Sequence, residues 1–362
     1  MTGKLTITID KNTSGGAERV AVVLANYFAN NGYHVNIINA DRDSCFYPVD
    51  SKVTVIKMGL DYSKSGVVHS AIRCIKKWLF LMEYFRKLRN NTVLTFLPNM
   101  EIPTIIAAKL YKIPVYTSVL SDPRTYSLPI RCFRMIAYPR ISGIIFQTEK
   151  VKSFKDFKNV RKAAVIANPL MQKISERQVP VSATKRKRLI FTVGRLEKCK
   201  NHEGLIKAFT RLAIDYPDVK LFIYGEGPLH DSLQDLIMKL HMGDRIFLQG
   251  VETDAVYHNR DSLMFVLNSH YEGMPNALME ALAYGIPAIS TDFFSGAARE
   301  MIRDGKNGFL VPVDNDNALE KKMRYLLDNP GIANDITSEA TRIYDSCNTE
   351  KICTKWKEFM YG

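Results

Sequence analysis

The sequence predicts an α/β fold made of two doubly wound, parallel-sheet (Rossmann-like) domains that face each other across a cleft. Short apolar segments alternate with amphipathic helical segments over most of the 362 residues. The alternation stops once, at a polar stretch near the middle of the chain, and then restarts. The two halves also differ in charge, which indicates two domains with separate tasks.

The first half, residues 1–170, predicts the N-terminal domain. Gly15 and Gly16 form a turn after the first strand and open a helix that runs to about Asn30. A long helix is predicted over 67–89 and a shorter one over 101–111. The strands are predicted at Leu5–Ile9, His34–Asn39, Val53–Ile56, Val93–Phe96, Val115–Val119 and Gly143–Gln147. This order is typical of a parallel sheet with helices on both faces.

Residues 171–188 predict a linker, because they are polar and contain Pro180 and a basic run at 185–188. The alternation restarts in the second domain, 189–345. Its strands are predicted at Leu189–Val193, Lys220–Tyr224, Arg245–Leu248, Leu263–Leu267 and Ala288–Ser290, and its helices over 202–215, over 228–241 and from Pro275. Residues 346–362 predict a C-terminal helix, which we expect to return to the N-terminal domain.

The net charge of +13 comes from the first half of the chain. Residues 1–170 hold 25 Lys and Arg against 11 Asp and Glu, a net charge of +14, whereas residues 171–362 hold 25 against 26. A basic surface attracts nucleic acids, anionic membranes or anionic substrates. A basic nucleic-acid-binding protein is the weaker alternative, because the motifs that carry chemistry lie mostly in the acidic half.

Composition argues against several other classes. No apolar run approaches the 18 or so residues of a membrane-spanning helix, and the N-terminus lacks the apolar core of a signal peptide. The six cysteines are scattered at 45, 74, 132, 199, 347 and 353, with no Cys-x-x-Cys pair. We therefore expect reduced thiols in a cytoplasmic protein, without a disulfide framework or zinc site.

The most specific segment of the chain runs from Ser269 to Glu280. It holds two carboxylates, Glu272 in a loop and Glu280 inside the following helix, and Pro275 suits the first helical turn. Both carboxylates can face one ligand when Glu272 lies in the loop. The helix N-terminus would offer free N–H groups to a diphosphate.

A second candidate segment follows the strand that ends at Val193. Arg195 and Lys200 there could neutralise a departing diphosphate, a form of electrostatic stabilisation on which catalysis often depends. Gly16 lies in an analogous turn after the first strand of the chain, and we expect this turn to face a phosphate. No Gly-x-Gly-x-x-Gly fingerprint of dinucleotide binding follows that strand.

Two short Asp-x-Asp sequences, at Asp41 to Asp43 and Asp314 to Asp316, match the pattern of metal-dependent sugar transferases. Sequences this short occur by chance, and both are interpreted here as solvated loops. We therefore expect no metal ion and no cofactor.

Together the motifs resemble those of glycosyltransferase family 4, retaining enzymes of the GT-B fold. They occur in the family's order: Gly-Gly-Ala-Glu-Arg at 15–19, Gly-Arg-Leu-x-x-x-Lys-Asn at 194–201, Gly-x-Gly-Pro at 225–228, and Glu-Gly-x-Pro-Asn-Ala-x-x-Glu-Ala at 272–281. The segments 95–98, 121–123, 138–139 and 147–149 resemble the branch that builds bacterial O-antigens, capsules and lipid-linked oligosaccharides.

This resemblance implies a role for each matched residue. Arg195 and Lys200 would hold the nucleotide diphosphate, Glu272 the hydroxyls of the donor hexose, and Glu280 the ribose hydroxyls. Backbone donors to the sugar and phosphate would come from Gly273, Met274, Pro275 and Asn276, while Gly16 would pack against the phosphates and Val251 would lie near the base. Leu120 departs from the family pattern, because many relatives place a His or Arg there that reaches the donor sugar.

The helix predicted over 67–89 suggests a membrane contact. Its apolar stripe is expected to pack against the core of the first domain; the stripe consists of Val68, Ile72, Ile75, Leu79 and Met82. The other side carries cations and aromatic side chains that suit a membrane interface: Arg73, Lys76, Lys77, Phe80, Tyr84 and Lys87. The alternative is an ordinary amphipathic helix with a solvated basic face.

The sequence thus favours a GT-B glycosyltransferase that transfers a hexose or N-acetylhexosamine with retention of configuration. The expected donor is a nucleotide-diphosphate sugar, most simply a UDP-sugar, and the expected acceptor is a lipid-linked saccharide in bacterial surface polysaccharide or glycan assembly. The protein would act peripherally at the inner face of the cell membrane. The alternative within the same fold is another sugar-nucleotide enzyme, such as a 2-epimerase.

Overall fold

The structure is a computed structural model that describes residues 3–10, 15–42, 46–63, 66–88, 90–171 and 173–362. The chain divides into two compact units. Unit 1 comprises Met1–Pro169 together with Thr349–Gly362, and unit 2 comprises Leu170–Asn348. Each unit is built on a parallel sheet.

In the described part of the chain before residue 170 there are seven strands and five α-helices. The strands are β1 (Lys4–Ile9), β2 (His34–Asp41), β3 (Val53–Leu60), β4 (Asn91–Phe96), β5 (Val115–Val119), β6 (Gly143–Phe146) and β7 (Ala163–Val165). The helices are α1 (Gly16–Asn30), α2 (Val67–Arg86), α3 (Pro98–Leu110), α4 (Leu128–Ala137) and α5 (Glu149–Lys152).

The described residues of unit 2 contain the next six strands and eight α-helices. The strands are β8 (Lys187–Val193), β9 (Lys220–Tyr224), β10 (Ile246–Gly250), β11 (Ser262–Leu267), β12 (Ala288–Thr291) and β13 (Phe309–Val311). The helices are α6 (His202–Leu212), α7 (His230–Lys239), α8 (Ala255–His258), α9 (Asn276–Ala283), α10 (Ala297–Met301), α11 (Asp316–Asp328), α12 (Pro330–Ala340) and α13 (Ile343–Cys347). The final helix, α14 (Thr349–Tyr361), belongs to unit 1.

The sheet of unit 1 has the order β3-β2-β1-β4-β5-β6-β7, with parallel neighbours. Right-handed crossovers place α1 on one face and α2, α3 and α4 on the other. The two cores agree with this arrangement. Phe28 of α1 and Trp356 of α14 share one core, whereas Leu81 of α2 and Ile105 of α3 share the other.

The sheet of unit 2 has the order β10-β9-β8-β11-β12-β13, again with parallel neighbours. The order reverses between β8 and β11. Ligands of doubly wound folds bind beyond the carboxyl ends of the strands at this reversal. The predicted fold class of two parallel-sheet α/β domains is confirmed.

The orientation of α2 contradicts the sequence-based prediction. Val68, Ile72, Ile75 and Leu79, expected to pack against the core, are all solvent-exposed. Leu81 and Phe85 are buried instead, and both Phe80 and Tyr84, assigned to the membrane side, pack against the same core. Lys77, also assigned to the membrane side, is buried. Of the predicted stripe, Met82 does pack against this core. For the other four residues the prediction of which helix face is inward is wrong.

A buried polar network explains this orientation. Asp10 follows β1, and its carboxylate forms an ion pair with the ammonium of Lys77. The Tyr62 hydroxyl and the Asn99 side-chain amide also donate to Asp10, the hydroxyl over 2.5 Å and the amide over 3.2 Å. A buried carboxylate needs such partners. The face of α2 that carries Lys77 must therefore turn inward.

The other cations assigned to the membrane side remain accessible to differing degrees. Lys76 and Lys87 are exposed, and Lys87 forms an i,i+4 pair with Glu83 over 3.1 Å. Arg73 is half-buried, with its guanidinium 5.1 Å from the centre of the Tyr62 ring. Among the helices that the structure describes, none is long and apolar enough to cross a membrane.

Candidate active site

Two loops meet at the carboxyl edge of the sheet in unit 2, where the strand order reverses. One loop, 194–201, follows β8, and the other, 268–275, follows the adjacent strand β11. The His270 amide donates to the Cys199 carbonyl over 2.8 Å. The Asn268 side-chain amide donates to the Asn201 carbonyl over 3.2 Å. These hydrogen bonds hold the two loops together at the place where doubly wound folds bind ligands.

Lys200 and Glu272 form an ion pair between these loops. The Lys200 Nζ lies 2.5 Å from Glu272 Oε1, and the two side chains are only 17% and 13% exposed. The Ser269 hydroxyl donates to the same carboxylate oxygen over 2.7 Å. Charged groups this buried need a partner, so each side chain fixes the other. The structure thus brings together two of the three residues predicted to be catalytic.

Arg195 is the third residue predicted to be catalytic. Its side chain is exposed to solvent, whereas its backbone carbonyl has a partner inside the unit. Its Nη1 lies 2.7 Å from Glu197 Oε1 in a surface ion pair. Its carbonyl lies 3.1 Å from Nε2 of the buried His202. Burial lowers the pKa of His202 to about 4. The imidazole is therefore neutral at pH 7, and the tautomer that fits the carbonyl donates its Nε2–H to it.

The Gly-x-Gly-Pro turn at 225–228 packs against the backbone of the loop that contains Arg195. Gly225 has a φ of 142°, and a Cβ atom there would lie 2.0 Å from the Gly194 carbonyl oxygen. The Leu196 amide donates to the Glu226 carbonyl over 2.9 Å. Glycine is required at position 225 because both the dihedral angle and the close backbone approach exclude a side chain.

The N-terminus of α9 lies at the end of the second loop. Pro275 is extended and precedes the first helical residue, Asn276, which is buried beside Met274. The Gly273 carbonyl accepts a hydrogen bond from the Ser295 hydroxyl over 2.9 Å. The first amides of a helix have no acceptor within the helix and can therefore bind an anion.

The remaining residues predicted to bind the donor lie in different places. Glu280 is buried one turn into α9. Val251 directly follows β10 and is partly exposed. Gly16 is the first residue of α1 in unit 1 and is exposed.

Several residues of the site were not predicted from the sequence. Ser269 holds Glu272, His202 holds the Arg195 backbone, and Ser295 holds the Gly273 backbone. Asn201 adopts a left-handed conformation and caps α6, its side-chain oxygen accepting from the Gly204 amide over 3.1 Å. An Asn directly before a helical pattern is a recognisable capping signal. Ser269, His202 and Ser295 have no comparable signal in the local sequence. Their partners are carbonyl or carboxylate oxygens whose positions depend on how the loops fold.

The acidic Asp-x-Asp sequences have other partners. Asp314 Oδ1 lies 2.8 Å from Nδ1 of His270, and Asp316 begins α11. Asp41 accepts a hydrogen bond from the Arg42 amide over 2.7 Å. Asp43, like Cys45, lies outside the described residues.

Comparison with known proteins identifies the class of this enzyme. Residues 174–343, nearly all of unit 2, match the family described as Glycosyl transferases group 1. This match and the relatives described next, which are named glycosyltransferases, support the enzyme class, and the protein is a glycosyltransferase. The predicted enzyme class is confirmed.

Relatives extend the similarity to the whole chain. The chain is 25% identical over 356 residues, covering 98% of it and 97% of the relative, to the GalNAc-alpha-(1->4)-GalNAc-alpha-(1->3)-diNAcBac-PP-undecaprenol alpha-1,4-N-acetyl-D-galactosaminyltransferase of Campylobacter jejuni. It is 24% identical over 365 residues, covering 99% of both chains, to the amylovoran biosynthesis glycosyltransferase AmsD of Erwinia amylovora. A crystal structure of a TarM variant from S. aureus, in complex with UDP among other ligands, superposes with a TM-score of 0.80 at 14% identity, covering 100% of both chains. The fold is that of the GT-B glycosyltransferases.

Proposed function

We propose that this protein is a retaining glycosyltransferase of family 4. It transfers a hexose or N-acetylhexosamine from a nucleotide-diphosphate sugar, UDP-linked, to a lipid-linked saccharide in bacterial surface polysaccharide or glycan assembly. It acts at the inner face of the cell membrane. The observation that carries the proposal is the Lys200–Glu272 ion pair at the carboxyl edge of the sheet in unit 2, beside the N-terminus of α9.

The donor diphosphate binds at the cations of the first loop. Lys200 turns from Glu272 to a phosphate oxygen, and Arg195 leaves its surface partner Glu197 to do the same. Breaking the Arg195 pair costs little, because exposed ion pairs contribute only about 0–1 kcal/mol. The backbone amides from Gly273 to Asn276 bind the phosphate and the sugar.

Glu272 then binds the hydroxyls of the transferred sugar. Its carboxylate becomes available when Lys200 moves to the phosphate, and Ser269 continues to orient it. Glu280 binds the ribose hydroxyls, and Val251 lies against the base. The site therefore holds the donor by charge at the diphosphate and by hydrogen bonds at both of its sugars.

Transfer proceeds on one face of the donor sugar. The acceptor hydroxyl oxygen bonds to the anomeric carbon as the bond from that carbon to the diphosphate oxygen breaks. The acceptor proton passes to the departing diphosphate, whose developing negative charge is stabilised by Lys200 and Arg195. Glu272 orients the sugar and forms no covalent bond.

The relatives' names support the choice of acceptor. The Campylobacter jejuni enzyme is named for an undecaprenol-linked acceptor, and the Erwinia amylovora enzyme for biosynthesis of the polysaccharide amylovoran. A lipid-linked diphosphate is anionic, which suits the net charge of +14 on residues 1–170.

A donor and acceptor screen tests the proposal. Purified protein is incubated with UDP-glucose, UDP-galactose, UDP-GlcNAc, UDP-GalNAc or GDP-mannose, with and without an undecaprenyl-diphosphate-linked saccharide. We expect one UDP-sugar to extend the acceptor, with the donor's α configuration retained in the NMR spectrum of the product. An inverted product, or an epimerised sugar nucleotide formed without acceptor, would contradict the proposal.

A further inference from the structure

The outward side of α2 is an apolar stripe that is exposed to solvent. Its four aliphatic side chains follow helical spacing: Val68 is 70% exposed, Ile72 43%, Ile75 57% and Leu79 55%. Large aliphatic side chains exposed in a row are uncommon on soluble monomers and mark interaction sites. The stripe runs along most of a 20-residue helix.

The two neighbouring helices of the same layer repeat this pattern. Helices α2 and α3 pack together, as do α3 and α4, and all three cover one face of the sheet. The exposed aliphatic and thioether side chains of α3 and α4 are Ile106, Leu110, Leu128, Met135 and Ile136. The apolar character therefore belongs to the outer side of the whole layer.

The fold holds this stripe outward. The buried Lys77–Asp10 ion pair, joined by Tyr62 and Asn99, sets the rotation of α2 about its axis. Turning the stripe inward would move Lys77 out and leave Asp10 buried without its cation, a costly arrangement. Exposure of the four aliphatic side chains is thus determined by tertiary structure.

Charge identifies the partner of this layer. Residues 67–140 hold 12 Lys and Arg against 3 Asp and Glu. Two of those three carboxylates, Glu101 and Asp122, are buried in ion pairs with arginines. Glu83 is therefore the exposed carboxylate of this part of the described chain, and it is paired with Lys87. Five of the twelve cations are in ion pairs: Lys77, Lys87, Arg124, Arg131 and Arg134. The excess of positive charge that remains in the same part of the chain as the aliphatic side chains matches the acyl boundary and the anionic headgroups of a bilayer.

We propose that the outer side of α2, α3 and α4, here named the docking layer, binds an anionic bilayer by inserting its aliphatic side chains at the headgroup boundary. The proposal deepens the proposed function, on which it rests for the location of the acceptor in the same membrane. Cations such as Lys76 and Lys109 attract the protein to the surface, and the stripe on α2 provides the apolar contact. Attachment of this kind, by headgroup contacts and shallow insertion of side chains, is reversible.

Vesicle flotation tests the docking layer. The full chain is mixed with vesicles of 30% phosphatidylglycerol in phosphatidylcholine, or of phosphatidylcholine alone. We expect flotation with the anionic vesicles only. The variant Ile72→Ser, Ile75→Ser, Leu79→Ser should bind at least about tenfold more weakly, because three inserted side chains lose their apolar contact.

A matched variant controls for the general loss of surface hydrophobicity. Ile214→Ser, Met238→Ser removes two apolar side chains from unit 2 that are more exposed than those of the triple variant, and it should float like the wild type. Thermal melting verifies that both variants fold. Equal flotation of the triple variant and the wild type would overturn the proposal. A second result would also overturn it: neither protein floats, and light scattering shows a wild-type dimer that is lost in the triple variant. The stripe would then bind a second copy of the protein.

An activity assay separates this proposal from the proposed function. With a water-soluble, short-chain acceptor the triple variant should transfer sugar at the wild-type rate, and with acceptor embedded in vesicles it should be slower. Flotation without transfer to any acceptor would leave the docking layer standing and contradict the proposed function. Transfer of sugar without flotation would contradict the docking layer and leave the proposed function standing.

Discussion

Lys200 and Glu272 are oppositely charged residues 72 positions apart that share one hydrogen-bonded site. In the proposed reaction each acts on a different part of the donor, Lys200 on the diphosphate and Glu272 on the sugar. Replacing either by Ala should therefore reduce transfer by about 10²–10³-fold, the usual effect of removing one preorganised contact to a developing charge. Steady-state kinetics with the cognate donor measures the loss.

The pair Lys207 and Glu203 supplies the control for this prediction. These residues form an exposed ion pair over 2.6 Å on α6, in the same unit. Lys207→Ala and Glu203→Ala should leave transfer within about twofold of wild type, because exposed i,i+4 pairs contribute little. Near-wild-type turnover in a folded Glu272→Ala protein would rule out the assigned role.

His202 predicts a pH dependence of stability. Its pKa is lowered from 6.5 to about 4 in the folded protein, so the unfolded chain binds a proton between these values and the native protein does not. The contribution of His202 to the free energy of unfolding is fully present above pH 6.5. It decreases as the pH falls toward 4, by about 3 kcal/mol in all. Urea unfolding at pH 7.5 and 4.5 should show this decrease in the wild type.

The substitution His202→Gln isolates that contribution, because the Gln amide can also donate to the Arg195 carbonyl but does not titrate. The variant should lose less stability between the two pH values than the wild type. An identical loss in both proteins would show that other groups account for the whole dependence.

At the scale of elements, strands were predicted more accurately than helix faces. The predicted strands at Leu5–Ile9 and Val115–Val119 match β1 and β5 to within a residue, because buried strands are short, contiguous apolar runs. Helix α4 and the edge strands β7 and β13 were not predicted. The two strands have only three residues each, and β7 consists of small or medium residues, Ala-Ala-Val, with little pattern to detect.

Helix α2 shows what periodicity leaves undetermined. Its existence and length follow from the sequence, yet it has two faces that could be buried, one aliphatic and one mixed aromatic and basic. The choice depends on Asp10, which is 67 residues away from Lys77 and has no signal in the local pattern. A long-range ion pair of this kind appears only in the folded structure.

This interpretation predicts a large difference between neighbouring lysines. Lys77→Ala leaves Asp10 buried without its cation and should destabilise the protein by about 3–5 kcal/mol. Lys76→Ala removes an exposed lysine of the same helix and should change stability by less than about 0.5 kcal/mol. Equilibrium urea unfolding compares the two, and equal effects would show that the pair does not set the orientation of α2.

At the scale of the whole molecule, the candidate site was predicted by its motifs rather than by composition. Arg195, Lys200 and Glu272 were selected because their segments follow strands and resemble a known family, and the structure joins Lys200 to Glu272. The supporting hydrogen bonds from Ser269 and His202 could not be predicted, because they depend on how two loops distant in sequence pack against each other.

Catalysis by protein cations predicts independence from divalent metal ions. In the proposed reaction Lys200 and Arg195 supply the positive charge that a metal ion would otherwise bring to the diphosphate, and Asp314 is engaged by His270. Transfer should therefore continue at an unchanged rate in excess EDTA. A loss of activity that Mg²⁺ or Mn²⁺ restores would contradict this prediction and direct attention to the Asp-x-Asp sequences.

The return of the chain to unit 1 at α14 has a consequence for biosynthesis. Trp356 and Met360 of this helix are part of the core that Phe28 of α1 also lines. A ribosome must synthesise the roughly 180 residues of unit 2 before α14 emerges, which takes about 10–35 s at bacterial elongation rates. During that interval unit 2 can only begin to fold, whereas α1 and its side of the first sheet expose the apolar surface that α14 will cover. The nascent chain should therefore be a chaperone client until Thr349–Gly362 has left the exit tunnel.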